Sequence, residues 1–177
     1  MKYNTTEAFD YYQRFIINED KFKIFKDYNI SVPGSVSNFD WECFAAIIIN
    51  SKGRIRWGGA DLVDAEVKSA VIKNGFCYHY YRDSGERRIE DDKQIKHVFI
   101  SYSPDYTNVI VRIANGKQLA HIFESWKEKM IESYAKLQKG DIQFRKNISY
   151  KQNLEYGKLI MKIEDKKLTN NTLKELI

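Results

Sequence analysis

Residues 58–68, GGADLVDAEVK, decide how this chain is read. Apolar and polar residues alternate there as they do in strands, yet three carboxylates and a lysine fall inside the stretch. If ADLV (60–63) and EVKS (66–69) are neighbouring antiparallel strands joined through Asp64-Ala65, Asp61 lies opposite Lys68 and Val63 opposite Glu66. Asp61, Glu66 and Lys68 then share one face, while Leu62 and Val67 point to an apolar one. Opposed side chains sit about 5 Å apart and diagonal neighbours about 7–8 Å, so two carboxylates can share one divalent cation. Asp-Ala is not a favoured two-residue turn. The same-face relation of Glu66 and Lys68 survives without it, because it needs only a strand.

Such a trio suits phosphodiester hydrolysis. That reaction needs charge neutralisation on the scissile phosphate and a deprotonated water in line with it, and a carboxylate-held Mg²⁺ provides both. Lysine can position or help deprotonate the water while touching the phosphate. Hard oxygen donors select Mg²⁺, with Mn²⁺ able to substitute, over zinc. The same D-x4-E-x-K spacing also fits an edge strand with a solvated polar face.

The rest of the chain supplies the setting. Its 177 residues suit one domain, and 43% hydrophobic with 30% charged residues suits a globular fold. No apolar run is long enough for a membrane span and no signal-peptide core opens the chain, so a cytoplasmic protein is expected. Cys43 and Cys77 have no metal-ligand spacing and are expected as free thiols. Lys and Arg number 29 against 24 acidic residues, a net charge of +5 that permits binding to an anionic polymer. Ala8, Phe9, Tyr12, Phe15 and Ile16 recur at helical spacing after Thr5-Thr6-Glu7. Beyond SVPGSVSN (31–38), Ser37 or Asn38 can cap a second helix with an apolar stripe of Trp41, Phe44, Ala45 and Ile48. Between residues 52 and 114 the period becomes two, predicting a sheet from GRIRW, ADLV, EVKSAVI, HVFISY and YTNVIVRI. A long helix is expected over 116–137, with Leu119, Ile122, Phe123, Trp126, Met130, Tyr134 and Leu137 on one face. Short extended pieces and a fraying polar tail follow. The fold class is mixed α/β, with a central mixed sheet flanked by helices.

The residues after Lys68 sharpen this. EVKSAVIKNGFCYHYY (66–81), DDKQIKHVFISY (91–102), GKQLAHIFESWKEK (116–129) and LEYGKLI (154–160) follow one another in an order and spacing that resemble the PvuII-like type II restriction endonucleases of the PD-(D/E)xK nuclease superfamily. The likeness spans residues 52–163. It implies a restriction-endonuclease-like core and a single nuclease domain over 1–177, with residues 1–51 serving dimerisation and 52–163 catalysis and DNA recognition. It implies Asp61 and Glu66 as metal ligands, the Val67 carbonyl as a further ligand and Lys68 as the catalytic lysine. Fewer residues separate Asp61 from the E-x-K than in that family, so Asp64 is either a rival ligand or a turn residue. GFCYHYY corresponds to the DNA-reading strand, with Cys77, His79, Tyr80 and Tyr81 at base-contacting positions and Arg82 beside them. Tyrosines replace family histidines there, so the DNA sequence recognised need not be the family's. Arg145, flanked by Gln143 and Lys146, falls where the family presents an asparagine to adenine; it is either a reader of guanine O6 and N7 or a surface arginine in a basic loop. Asp92 aligns with a family tyrosine near the metals and is a candidate support. His97 and His121 are expected to be structural. The 31–38 loop either touches a minor groove or only links two helices.

The resulting expectation is a homodimeric, Mg²⁺-dependent type II restriction endonuclease. It would cut both strands of a short palindromic duplex to leave 5′-phosphates, with a cognate DNA methyltransferase in the same system. The alternatives are another PD-(D/E)xK nuclease acting in repair or junction resolution, a catalytically inactive DNA-binding protein, and an interaction domain without nucleic-acid affinity.

Overall fold

Side-chain caps and a 3.6-residue apolar period build the N-terminal helices in the computed structural model, which describes residues 3–54, 59–136 and 143–171. Helix α1 (Thr5–Tyr11) is capped by Asn4 and continues as a π-helical turn, Tyr12–Ile16. Helix α2 (Glu19–Asp27) is capped by the Asn18 side chain, which accepts from the Lys21 amide at 2.9 Å. Helix α3 (Asn38–Ile49) starts at a reciprocal Ser37–Asp40 capping box and ends on Asn50 in the left-handed conformation. The expected stripe of Trp41, Phe44, Ala45 and Ile48 is buried, as are Ala8, Tyr12 and Ile16. Phe15 falls off the stripe and is exposed.

The strands are β1 (Ala65–Val71), β2 (Phe76–Tyr81), β3 (Lys96–Tyr102), β4 (Val109–Asn115), β5 (Gln143–Ile148), β6 (Lys158–Glu164) and β7 (Lys167–Asn171). Five of them form a mixed sheet in the order β1-β3-β4-β6-β7, parallel only between β1 and β3. Strands β2 and β5 form a separate antiparallel ribbon. Helix α4 (Gly85–Asp92) follows β2, α5 (Gly116–Lys136) follows β4, and α6 (Tyr150–Tyr156) follows β5. The mixed α/β class with a mixed central sheet is therefore as expected.

Strand β3 shows why the sheet is central. Val98 and Ile100 pack with Tyr12, Trp41 and Phe44 of the N-terminal helices, while Phe99 between them packs with Phe123 of α5 and with Phe76 and Tyr78 of the ribbon. A strand buried on both faces reads as a continuous apolar run, and HVFI does. The α5 stripe from Leu119 to Tyr134 is buried on that second side; Leu137 lies outside the described residues. The 31–38 loop is tied down by the Tyr106 hydroxyl, which accepts from Gly34 N–H at 2.7 Å and donates to the Val32 carbonyl at 3.3 Å. Among the described residues no helix is long and apolar enough to cross a membrane.

Three expectations are corrected. Residues 60–63 are not a strand paired with β1, so Asp61 does not lie opposite Lys68. Leu62 N–H closes a tight turn on the Ala65 carbonyl at 2.9 Å, and Leu62 forms an isolated antiparallel bridge with Gly53. Asp61 bonds by side chain to the β1 edge that a hairpin partner would have used. The expected strand over GRIRW has residues 55–57 outside the described residues. Residues 85–92, inside the region of period two, are helix α4. The C-terminal piece ISYKQNLEY holds helix α6, started by a Ser149–Gln152 capping box; the tail beyond 171 lies outside the described residues.

Candidate active site

Glu66 and Lys68 project from the same side of β1, as any i, i+2 pair on a strand must. Glu66 is 4% exposed, and its Oε1 sits 2.5 Å from Lys68 Nζ. Asp61 joins them from the turn. Its Oδ2 accepts from Val67 N–H at 2.9 Å, and its own N–H donates to Glu66 Oε2 at 3.3 Å. Gly59, with φ +102°, precedes that turn in a conformation that L side chains rarely adopt. Strand β1 is the sheet edge, and the N–H and C=O of one strand residue project to the same side. The Val67 carbonyl therefore faces the open edge alongside Asp61.

These groups line a cavity of about 430 Å³, together with Glu42 of α3, His79 of β2 and Arg88 of α4. Arg88 Nη2 donates to Glu66 Oε2, and its Nε lies 3.5 Å from Asp92 Oδ1. Burial alone would raise the Glu66 carboxyl's pKa, but Lys68 and Arg88 outweigh it and hold Glu66 below the usual value. Burial would likewise lower the Lys68 ammonium, and Glu66 with Asp61 instead hold it above its usual value. Asp61 goes the other way: burial first, then the neighbouring Glu66, push it up. Glu42 is raised by burial and by Asp61 and Glu66. Asp61 and Glu42, each raised by a neighbouring carboxylate, mark a place where added positive charge is favourable.

The donor set fits a hard divalent cation. Asp61, Glu66 and the Val67 carbonyl offer oxygen ligands of the kind Mg²⁺ and Mn²⁺ take, and no thiolate or imidazole lies among these three. No group of three or more His, Cys, Asp or Glu side chains among the described residues is arranged as a metal site. Two carboxylates plus a main-chain carbonyl fall below that count.

The ribbon brings the two expected reading segments side by side. Along β2, Phe76, Tyr78 and Tyr80 are buried and Cys77, His79 and Tyr81 are exposed. Register places Cys77 opposite Asn147, His79 opposite Arg145 and Tyr81 opposite Gln143, so these six share one outward face. Cys77 Sγ lies 3.0 Å from His79 Nε2, and Arg145 Nε donates to Gln143 Oε1 at 2.9 Å. Burial, Arg145 and Lys68 depress the His79 pKa.

Two expected contacts do not lie on that face. Tyr80 is 1% exposed and donates its hydroxyl to Asp92 Oδ2 at 2.9 Å. Lys146 is opposite Tyr78 on the other side of the ribbon, its Nζ 5.3 Å from the Phe144 ring centre. Both follow from strand alternation, which puts neighbours of outward residues inward. Arg82 donates to the Tyr134 carbonyl at 3.3 Å, at the end of the ribbon.

Asp92 is fully buried beneath the cavity, and burial pushes its carboxyl up to about 7. The backbone carbonyl of Asp92 can only accept, so His97 Nε2, 2.7 Å away, carries the proton and Nδ1 accepts from Tyr78 O–H at 2.7 Å. Burial lowers the His97 pKa to about 4, and the ring is neutral and structural, as expected. His121 contacts the Tyr156 hydroxyl on α5's outer side. Asp64 turns away from the cavity, accepting from Ser51 Oγ at 2.6 Å and Lys96 Nζ at 2.8 Å, which makes it the turn residue rather than the rival ligand.

Sequence reasoning missed Arg88, Glu42 and Asn147. Arg88 had one local signal, its i, i+4 spacing from Asp92. Glu42 had none beyond its place on α3, while Asn147 continues the Gln143–Arg145 alternation and was readable. No protein-family model matches this chain, and no curated protein matches it.

Proposed function

We propose that this protein is a Mg²⁺-dependent endonuclease of duplex DNA, a PvuII-like type II restriction enzyme with a PD-(D/E)xK core. The observation that carries the proposal is the placement of Asp61, Glu66 and Lys68 in one cavity that His79 also lines, below a ribbon face of Cys77, His79, Tyr81, Gln143, Arg145 and Asn147. A two-stranded ribbon fits the major groove, and Arg145 on that face suits guanine. The net charge of +5 favours the backbone.

Asp61, Glu66 and the Val67 carbonyl would hold Mg²⁺ or Mn²⁺. When bound, the cation supplies Lewis-acid neutralisation of the scissile phosphate. Lys68 stays an ammonium because Glu66 and Asp61 hold its proton, so it donates to a phosphate oxygen and orients the attacking water. Attack forms the new P–O bond and breaks the bond to the 3′ oxygen, which takes up a proton; the 5′-phosphate stays on the other fragment. Two copies related by a twofold axis would cut both strands of a palindrome, with exposed Phe15, Ile24, Tyr28 and Phe39 of the N-terminal region available for the dimer contact. Such an enzyme works in the cytoplasm beside a methyltransferase that protects the host's own sites.

One observation favours an inactive DNA-binding protein on the same fold: Lys68 and Arg88 already neutralise both Glu66 oxygens. Digestion of a plasmid of known sequence in Mg²⁺ separates the cases. Discrete fragments with 5′-phosphate ends at one recurrent sequence support the restriction enzyme. A smear points to a repair-type nuclease, and DNA retention without scission to the inactive binder.

A further inference from the structure

Arg88 is a cation of the cavity to which the proposed chemistry gives no task. It reaches in from α4, its Nη2 on Glu66 Oε2 and its Nε 3.5 Å from Asp92 Oδ1. Asp92 is itself pinned by the Tyr80 hydroxyl at 2.9 Å. The third nitrogen, Nη1, is buried and has no hydrogen-bond partner among the described residues, and it lies 3.7 Å from the point where a side chain on Gly59 would begin. An unpaired N–H group of a guanidinium held out of solvent is costly unless a ligand completes it.

We propose that Arg88 is the resident counter-cation of Glu66, displaced when a divalent cation binds and then turned onto a DNA phosphate oxygen, so that metal and DNA enter the site cooperatively. The inference rests on the nuclease assignment and adds a regulation of that site. A divalent cation about 2.1 Å from Glu66 Oε2 would stand close to the guanidinium nitrogen on that same oxygen, and repulsion between the two positive centres favours the departure of Arg88. Arg88 can leave Glu66 without leaving the site, since Asp92 Oδ1 lies 3.5 Å from its Nε and has no hydrogen-bond partner among the described residues, which keeps a second acceptor beside the guanidinium. The planar guanidinium fork matches a phosphate with two parallel N–H groups, one of them Nη1. A metal therefore competes with Arg88 when DNA is absent, and a phosphate removes the competitor when DNA is present. By reciprocity, metal must tighten DNA binding by the same factor.

The test titrates Ca²⁺ calorimetrically into the full-length wild type and Arg88→Gln, with and without a duplex carrying the site found by plasmid digestion. For the wild type, DNA should tighten Ca²⁺ binding about tenfold or more. For Arg88→Gln, Ca²⁺ binding without DNA should be about tenfold tighter than in the wild type, and the enhancement by DNA should fall by about the same factor, to what the contact between metal and phosphate itself supplies. Equal Ca²⁺ affinities in the two proteins, or an unchanged DNA enhancement, overturn the inference while leaving the nuclease assignment intact. A wild type that neither binds Ca²⁺ nor cuts DNA overturns both. A second measurement uses only the wild type: the Arg88 Nε–H resonance should shift as Ca²⁺ saturates the protein. A resonance that stays put at saturation overturns the displacement even if Arg88→Gln fails to fold.

Discussion

Replacing Asp92 with Asn should change how stability depends on pH, by an amount the burial of this carboxyl sets. Its pKa is pushed up to about 7, where an ordinary aspartate titrates near 4. At 1.36 kcal/mol per tenfold change in proton affinity, the folded state disfavours the anion by about 4 kcal/mol. The native protein thus holds a proton that the unfolded chain has already lost. Stability from this group is full below about pH 4 and falls away as pH rises to about 7. His97 runs the opposite way: its pKa is lowered to about 4, so its contribution is full above about pH 6.5 and is lost as pH falls towards 4, by about 3 kcal/mol. The two nearly offset each other in the wild type between about pH 4 and 6.5. Asn keeps an acceptor for the Tyr80 hydroxyl and cannot ionise. Urea unfolding of both proteins from pH 4 to pH 8 should show the variant gaining about 4 kcal/mol on the wild type across that range, and should unmask a rise with pH from His97. The difference present at pH 4 absorbs changes in hydrogen bonding, so the change in that difference isolates the ionisation. A difference constant to within about 1 kcal/mol would refute the burial argument for Asp92.

Other consequences follow from packing and from the ribbon. Gly116→Ala should cost about 3 kcal/mol in urea unfolding, because a Cβ there would stand 2.3 Å from the Asp92 carbonyl and 2.6 Å from that of Ile95, both backbone. An unaffected midpoint would contradict that packing. Arg145→Ala should cost about 1–3 kcal/mol of discrimination at one base pair, measured as competition between the mapped site and its single-base variants. An equal loss on every duplex would instead assign Arg145 to a phosphate.

The features that can be read from this sequence are those with a period. The α3 stripe, the α5 stripe, the β2 alternation and the E-x-K of β1 each repeat at 3.6 or 2 residues, and each is found where that repeat predicts. What escaped lacks a period or is non-local. Helix α4 is GERRIEDD, eight residues with one large apolar side chain, Ile89, so no stripe announces it and Arg88 goes unnoticed. The turn at 61–65 is held by Asp61 bonding to Val67 N–H across the open sheet edge, a side-chain substitute for a strand partner that alternation cannot distinguish from a real one. The β2–β5 register joins residues about 66 apart, as His79 and Arg145 are, and only the fold reveals that Asn147 belongs with them while Tyr80 and Lys146 do not. Helix α6 was legible in principle, since Ser149-x-x-Gln152 is a capping-box spacing.

The most direct test compares Lys68→Ala with the wild type on one duplex of known sequence, reading binding in Ca²⁺ and scission in Mg²⁺. Retained binding with cleavage lost is expected, because Lys68 donates to the reacting phosphate while the ribbon face holds the DNA. Cleavage by the variant at the wild-type rate would contradict the role given to the Asp61–Glu66–Lys68 cluster.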